Sequence, residues 1–206
     1  MPLECERKYL GVDLDALNKR LEASGARGGE PYFESNLVFD RPDGSLKEAD
    51  TLLRLRQKQG VNVLTVKRPP EGAKSSTMKI YEELETKVAD HDETVAMLEI
   101  LGFTPAFAYE KVRGKWSFMG CVICCDQLPF GDFAEIEGEE RAVDECAAAL
   151  GLDSFSISLG NYHQLNLEHR RNNGLPLENG FVFDDETRES LLEQLAKNDD
   201  SPSTGR

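Results

Sequence analysis

The sequence is short of the features that mark membrane, secreted and nucleic-acid-binding proteins. Among its 206 residues, no apolar run approaches the roughly 20 needed to cross a bilayer, and no hydrophobic signal segment stands at the beginning. Basic residues are outnumbered, 24 Lys and Arg against 38 Asp and Glu, and a formal net charge of -14 argues against a surface for nucleic acid or anionic membrane. We therefore expect a cytoplasmic protein with neither partner.

Cysteine is also scarce. The five cysteines are odd in number and lack the spacing of a secreted disulfide framework. Cys121, Cys124 and Cys125 resemble a metal or redox cluster, but on a strand Cys124 faces away from the other two. Cys146 falls in an Ala-rich helix. The sequence therefore predicts small, buried, apolar cysteines.

The remaining composition suits one folded domain with appendages, because 39% of the residues are hydrophobic and 30% are charged. Alternation and turn residues predict strands over 3–10, 32–40, 52–59, 61–67, 79–88, 108–115, 116–126 and 132–139. Helical periodicity predicts helices over 14–24, 90–101 and 141–150. Since tight turns join successive strands, we expect an α+β fold with one dominant antiparallel sheet.

Charged residues recur at alternate positions of these strands and so share one face of each strand. The acidic pairs are Glu4 with Glu6, Glu83 with Glu85 and Glu135 with Glu137, and the basic pairs are Arg54 with Arg56 and Lys111 with Arg113. Lys8 continues the first acidic pair, Lys67 stands alone on its strand, and Asp126 closes another. A solvent face would also be charged, but it normally mixes the two signs across neighbouring strands. Sorting by strand favours a single surface with cationic and anionic zones.

Closing the sheet into a barrel with these faces inward would bring six cations together. They would repel one another strongly unless a polyanion lay between them. Arg matches phosphate oxygens in pairs, Lys acts as a point charge, and clustered carboxylates suit Mg²⁺ or Mn²⁺. No glycine-rich Walker loop is present. The pattern therefore predicts a metal-dependent site for a polyphosphate chain.

The motifs resemble those of a known family. Residues 4–8, Glu-Cys-Glu-Arg-Lys, match the ExExK signature of the CYTH superfamily, the triphosphate tunnel metalloenzymes. Segments 39–46, 53–56, 109–113 and 131–137 are similar to its later blocks, in order across residues 1–168. The resemblance implies a closed eight-stranded antiparallel β-barrel with flanking helices, a triphosphate-containing substrate and one or two divalent metals.

The resemblance also implies a role for each charged residue. Those expected to bind the triphosphate are Lys8, Arg54, Arg56, Lys67, Lys111 and Arg113. Those expected to hold Mg²⁺ or Mn²⁺ are Glu4, Glu6, Asp126, Glu135 and Glu137. Glu83 and Glu85 would complete the acidic lining and orient water. Lys8 is also a candidate to deprotonate the nucleophile, because cationic crowding lowers a lysine pKa; phosphate binding alone is the alternative.

The branch of the family decides the reaction. Segments 101–107, 110–111, 126–128 and 131–133 are similar to bacterial class IV adenylyl cyclases, which implies conversion of ATP to cyclic AMP and pyrophosphate. The alternative is a triphosphatase acting on tripolyphosphate, thiamine triphosphate or a nucleoside triphosphate. A polyphosphate-binding module and a purely structural barrel are further alternatives. The acidic set favours an enzyme, because anion binding alone gains nothing from carboxylates.

The C-terminal part differs in character. We expect a tunnel domain over 1–168 and an extension over 169–206, with a polar linker at 170–174, a helix at 187–197 and a disordered end from 198. Phe181 and Phe183 need apolar partners, so this segment is expected to pack on the barrel or across a homodimer. No catalytic role is expected for it.

Overall fold

A computed structural model describes residues 3–72 and 78–199, excluding the side chains of residues 3, 4, 198 and 199. Within these ranges the strands are β1 (Leu3–Leu10), β2 (Arg27–Asp40), β3 (Leu52–Lys58), β4 (Val61–Arg68), β5 (Lys79–Val88), β6 (Thr104–Phe118), β7 (Cys121–Leu128), β8 (Gly131–Glu137) and β9 (Ile157–Ser158). The helices are α1 (Leu14–Ala23), α2 (Ser45–Glu48), α3 (His91–Ile100), α4 (Glu140–Ala149), α5 (Tyr162–Asn172) and α6 (Asp185–Asp199).

The sheet closes on itself, as predicted. Its strand order is β5-β4-β3-β2-β6-β7-β8-β1, and β1 also pairs with β5. Residues 3–6 of β1 pair with β5, and residues 6–10 pair with β8 on the other edge. Every pairing is antiparallel, so β1 to β8 form a closed eight-stranded antiparallel barrel, and β9 adds a short ladder beside β1.

Two strands are longer than the sequence predicts. The expected break between Lys115 and Trp116 is wrong, because β6 continues to Phe118 and the chain reverses at Met119 and Gly120, both with positive φ. β2 begins at Arg27 rather than at residue 32 and contains an irregularity after Gly28. β2 and β6 pair with each other along most of their length. Local irregularities disturb the alternation of side chains in the sequence, but the β2–β6 ladder continues past them.

Helices cover the outside of the barrel. Leu17 and Leu21 of α1 and Val143 of α4 pack on Ile123 and Ile136 in the largest buried cluster. The predicted burial of the cysteines is confirmed for the four on β7 and α4, and they follow the predicted faces: Cys121, Cys125 and Cys146 lie in this cluster, whereas Cys124 pairs with Glu135 across the ladder. The largest part of the apolar core therefore lies between the outer face of the barrel and the helices that cover it.

The C-terminal segment packs on the barrel. Residues 170–172, predicted as linker, belong to α5, which ends where Gly174 adopts positive φ. The predicted helix 187–197 lies within α6. The predicted disorder from residue 198 is wrong for residues 198 and 199, because α6 continues to Asp199, and residues 200–206 lie outside the described residues. Phe181 stacks on Tyr109 with ring centroids 5.0 Å apart. The division after residue 168 stays a prediction. No helix in the described ranges is long and apolar enough to cross a membrane.

Candidate functional site

A cavity of about 260 Å³ opens into the barrel interior. All six predicted phosphate-binding residues line it, namely Lys8, Arg54, Arg56, Lys67, Lys111 and Arg113. Five of these side chains are buried, and that of Lys67 is 14% exposed. They converge because each lies on the inward face of a different part of the closed sheet. The structure thus places the predicted cations in one enclosed space.

The predicted acidic residues occupy three kinds of position. Glu6, Glu83, Glu135 and Glu137 line the same cavity. The side chain of Glu85 is 40% exposed and stands beside Arg54, with 3.7 Å between Oε1 and the guanidinium Nη2. The side chain of Glu4 lies outside the described residues. Sequence reasoning therefore located most of the acidic lining.

Lys8, Arg113 and Glu135 form a tight buried group. Lys8 Nζ is 2.5 Å from Glu135 Oε1, and Arg113 Nη2 is 2.6 Å from Glu135 Oε2. Burial by itself raises the pKa of Glu135, but the charges of Lys8 and Arg113 outweigh burial and hold that pKa well below its usual value. Glu135 is therefore an anion at neutral pH.

Lys8 does not follow the expectation from cationic crowding. Burial by itself lowers the pKa of Lys8, but the carboxylates of Glu135 and Glu6 outweigh burial and raise it. The lowered pKa belongs instead to Lys79, which sequence reasoning missed. Burial, followed by the charge of Lys8, lowers the pKa of Lys79 to about 8. Its Nζ lies 3.8 Å from Glu6 Oε1. The predicted pKa direction was wrong because sequence alternation gave no distances to the carboxylates.

Asp126 is fully buried and holds other side chains in place. Arg113 donates from Nε to Asp126 Oδ1 at 2.6 Å and from Nη2 to Oδ2. Lys111 Nζ donates to Oδ2 at 3.2 Å, and the Tyr162 hydroxyl donates to the same oxygen at 2.7 Å. Both Asp126 oxygens are thus occupied by donors from three side chains.

Arg54 is oriented by a set of uncharged and acidic groups. Its Nη1 donates to the Tyr109 hydroxyl at 2.9 Å, and its Nη2 lies 3.7 Å from Glu83 Oε1. Thr65 Oγ1 accepts from the same Nη2 at 3.4 Å and donates to Glu85 Oε1 at 2.9 Å. Tyr109 and Thr65 were missed because a hydroxyl residue in a strand carries no charge signal.

Glu34 is the most deeply buried acid that sequence reasoning missed. It is 0% exposed, and its oxygens lie 3.6 Å from Arg56 Nη1 and 3.6 Å from Lys111 Nζ. Neither oxygen has a hydrogen-bond partner among the described residues. Burial raises the pKa of Glu34, but Lys111 and Arg56 outweigh burial and hold it below its usual value. In the sequence, the position of Glu34 could have been inferred from Asn36, because residues two apart on a strand share a face. Asn36 Oδ1 accepts from Arg56 Nε at 3.2 Å.

Tyr162 covers two of the lysines. Lys8 Nζ lies 4.3 Å from the Tyr162 ring centroid, and Lys111 Nζ lies 5.4 Å from it. Tyr162 is the first residue of α5, which begins with a capping box at Asn161 and Gln164. A helix after the strands therefore adds a wall to the cavity that strand alternation could not predict.

The carboxylates could hold a hard divalent cation. Glu6 lies directly opposite Glu137 in the β1–β8 ladder, an arrangement that is destabilising without a cation. Ligand atoms of Glu135, Glu137 and Cys124 lie within 4.8 Å of one another. Carboxylate oxygens are the donors preferred by Mg²⁺ and Mn²⁺. The donor set therefore fits the predicted metal, with the Cys124 sulfur beside it.

Comparison with known proteins identifies the family. A model of the CYTH domain matches residues 2–152. The chain belongs to the CYTH domain family. The CYTH match contains every charged residue of the predicted site, and it ends before α5, so Tyr162 and the rest of the C-terminal segment lie beyond it.

Similar proteins carry cyclase and triphosphatase descriptions. A Methanocaldococcus jannaschii protein named "putative adenylate cyclase" is 25% identical over 144 residues, covering 69% of this chain and 81% of the relative. A solved "putative adenylate cyclase" from Vibrio parahaemolyticus has a TM-score of 0.64 and 23% identity, covering 79% of this chain and 97% of its own. A Hippeastrum structure described as a "putative adenylyl cyclase" with a dominant triphosphatase activity has a TM-score of 0.61 and 19% identity, covering 87% and 99%. These two structural likenesses show the CYTH fold alone.

Proposed function

We propose that this CYTH protein is a metal-dependent enzyme that acts on a triphosphate-containing substrate inside the barrel, with ATP cyclisation to cyclic AMP and pyrophosphate as the favoured reaction. The supporting observation is that six cations line one cavity together with four carboxylates, Glu6, Glu83, Glu135 and Glu137. A cavity lined by many charges of both signs suits a polyanion that is bound together with a metal cation.

The cations are placed to bind phosphate oxygens. Arg54 is held by Tyr109, Arg113 by Asp126, and Arg56 by Asn36, so each guanidinium keeps a fixed direction before substrate enters. Fixed charges stabilise a charged transition state without reorganising during the reaction. We assign phosphate binding to these arginines together with Lys8, Lys67 and Lys111.

The carboxylates divide into two groups in this proposal. Glu6, Glu135 and Glu137 would hold Mg²⁺ or Mn²⁺, with Glu4 as the remaining predicted ligand. When bound, the metal neutralises charge on the phosphate oxygens. Asp126 is a weaker candidate ligand because, unlike Glu135, it is not among the residues that line the cavity in the described structure; its oxygens accept from Arg113, Lys111 and Tyr162 and position those side chains.

In the cyclase reaction the ribose 3′ oxygen attacks the α-phosphorus. The bond from that phosphorus to the oxygen bridging the β-phosphorus breaks, pyrophosphate leaves, and a base takes the hydroxyl proton. The raised pKa of Lys8 favours phosphate binding as its role. Glu83 and Glu85 stay candidates for orienting the nucleophile, because both lie 3.7 Å from Arg54.

A triphosphatase is the second candidate, and the described activity of the Hippeastrum neighbour favours retaining it. Water would then attack a phosphorus of tripolyphosphate, thiamine triphosphate or a nucleoside triphosphate. The same cations and carboxylates would be used, because both reactions depend on positioning and charge neutralisation. Binding without turnover is the third and weakest candidate.

Product analysis separates these candidates. Purified protein is incubated with ATP, tripolyphosphate or thiamine triphosphate and with Mg²⁺ or Mn²⁺. We expect cyclic AMP with pyrophosphate from ATP; orthophosphate instead would establish the triphosphatase. Absence of every product in both metals would contradict an enzymatic role.

The setting of the reaction is also proposed. The acidic composition supports a cytoplasmic enzyme with a small-molecule substrate and no nucleic-acid or membrane partner. Homodimer formation stays a prediction. Sedimentation velocity of the full chain would test it.

A further inference from the structure

The outer part of the cavity has a different chemistry from the interior. The rings of Phe107 and His163 are stacked, with centroids 4.8 Å apart and an interplanar angle of 23°. Both residues line the cavity and both are half-buried. Aromatic faces of this kind bind planar, apolar groups and offer little to a phosphate. This end of the cavity therefore suits a ligand with an aromatic part better than a phosphate.

This aromatic wall joins the cationic interior directly. Tyr109 accepts a hydrogen bond from Arg54 and lies 6.4 Å, ring centroid to ring centroid, from Phe107. Tyr109 also stacks on Phe181 at 5.0 Å. A ligand whose phosphates lie at Arg54 would thus extend past Tyr109 toward the Phe107–His163 stack.

The C-terminal segment fixes the wall in place. Phe181 donates its backbone N–H to the Ala108 carbonyl at 3.1 Å and accepts from the Glu110 N–H at 3.0 Å. In the described residues, β7 pairs with β6 only from Val112 onward. Phe181 forms a bridge with Tyr109, in the part of β6 that β7 does not reach. Backbone hydrogen bonds therefore join the C-terminal part of the aromatic wall to the barrel.

A buried amide supports the same segment. Asn166 is 2% exposed, and its Nδ2 donates to the Glu178 carbonyl at 2.9 Å and to the Gly180 carbonyl at 3.4 Å. Gly180 approaches β6 so closely that a Cβ would lie 2.8 Å from the Ala108 carbonyl oxygen. Asn179, between these two carbonyls, is consequently held at the cavity edge.

The state of His163 suits stacking. Its Nδ1 lies 3.0 Å from the Asn179 carbonyl oxygen, which can only accept, so Nδ1 carries the proton. Burial lowers the pKa of His163, and the charge of Lys47 acts in the same direction against the opposing hydrogen bond. At neutral pH the ring is therefore uncharged and presents a π-face.

We infer that Phe107, His163, Asn179 and Phe181 form a subsite for the aromatic end of a triphosphate ester, which makes a nucleoside triphosphate the preferred substrate class over inorganic tripolyphosphate. This rests on the proposed function for the phosphate end alone. Tripolyphosphate would fill the cationic interior and leave the subsite without a ligand.

The test compares two probes that share the phosphate chain. Analogues of ATP and of tripolyphosphate with methylene groups in place of both bridging oxygens cannot be cleaved between phosphorus atoms, so their Kd values are measured by calorimetry with Mg²⁺ on the full-length protein. We expect His163→Ala to weaken the ATP analogue about tenfold, the loss of roughly one stacking contact, and to change tripolyphosphate binding less than about twofold. His163→Phe, which keeps a ring, is expected to retain most of the affinity.

His169→Ala is the matched control. His169 lies on α5 as well and contacts the Phe130 ring at 5.7 Å, but it is not among the residues that line the cavity in the described structure. We expect this variant to change neither Kd. Unchanged tripolyphosphate binding also shows that each variant is folded.

The outcomes separate the two proposals. Equal weakening of both analogues by His163→Ala, or no weakening of the ATP analogue, overturns the subsite. A protein that binds both but converts neither ATP nor tripolyphosphate contradicts the proposed enzyme, while the difference between the two Kd changes still decides the subsite. Failure to bind either analogue overturns both.

Discussion

The inner and outer parts of the same cavity are built in different ways. The inner part consists of charged side chains on the barrel strands that form ion pairs, such as Arg54 with Glu83 and Arg113 with Glu135. The outer part is aromatic and is completed by His163 and Phe181, which follow the barrel in the chain. Charge placement in the first depends on strand alternation, whereas the second depends on a distant segment docking through its backbone.

This difference separates two properties of one site. The inner part acts on phosphates and so treats all triphosphates alike, because the same oxygens are present in each. The outer part can distinguish what the phosphates are attached to. Changes in the two parts should therefore have separable effects on folding, turnover and selectivity.

Removal of Phe181 should break the outer part most severely. Phe181→Ala deletes a ring that is 5% exposed and contacts Tyr109 and Phe130. We expect the free energy of unfolding to fall by about 4 kcal/mol, typical of a buried Phe to Ala change. Urea denaturation measures it. The neighbouring Val182 is 51% exposed, so Val182→Ala should cost less than about 0.5 kcal/mol; equal losses would show that the segment is not docked.

Neutralising Glu135 should break the inner part without changing selectivity. Glu135→Gln removes the anion between Lys8 and Arg113 and one proposed metal donor. We expect kcat/KM to fall about 10²- to 10³-fold, as for loss of one preorganised charged contact. Steady-state assays with ATP measure this loss, and calorimetry with the uncleavable analogues of ATP and tripolyphosphate should show the same fold-change in both Kd values. Glu139→Gln, on the exposed start of α4, is the control, and a substrate-dependent loss at Glu135 would contradict the separation.

Glu34 should matter through stability. Glu34→Gln removes the buried carboxylate 3.6 Å from Arg56 and leaves Lys111 with Asp126 as its neighbouring anion, and we expect a loss of about 2 kcal/mol at pH 7. Because the folded-state pKa of Glu34 lies below its usual value, the stabilisation is present above about pH 4.3, the unfolded value, and is lost as pH falls toward the folded value. Urea curves for wild type and variant should therefore converge in acid; a constant gap would contradict the assigned charge.

Lys79 offers the smallest and most local test of the inner part. With Lys residues labelled at Cε, one carbon resonance of the metal-free protein should titrate near pH 8, against about 10.4 for an ordinary lysine. Lys79→Arg should remove that resonance and leave the others in place. Midpoints above 10 for every lysine would show that burial and Lys8 do not act on Lys79 as the geometry requires.

The sequence predicted the inner part well and the outer part poorly. Alternation of Arg54 with Arg56 and of Glu135 with Glu137 required only that each segment be a strand, and strand pairing then brought the pairs together. The residues beyond strand alternation were not predictable in this way. Glu34 is a single charge between uncharged neighbours, and Tyr162 reaches the cavity from a helix.

The pKa direction at Lys8 failed for a related reason. Alternation showed that cations share the barrel interior, but the sign of a pKa shift depends on which charge is nearest. Glu135 lies 2.5 Å from Lys8, a distance that only the closed sheet sets. Likewise, the aromatic wall depends on the hydrogen bonds between Phe181 and β6, which no local pattern encodes.

The closure of the barrel by β1 has a consequence for how the chain folds. β1 precedes the other strands in the chain, and although its pairing with β5 can form earlier, its pairing with β8 waits until Gly131–Glu137 has been synthesised. Contacts so distant in sequence slow folding and expose unpaired strand edges meanwhile. Until then Lys8 lacks Glu135, whose Oε1 lies 2.5 Å from its Nζ in the closed barrel. The site is therefore completed only when the barrel closes, which makes its assembly one of the last steps of folding.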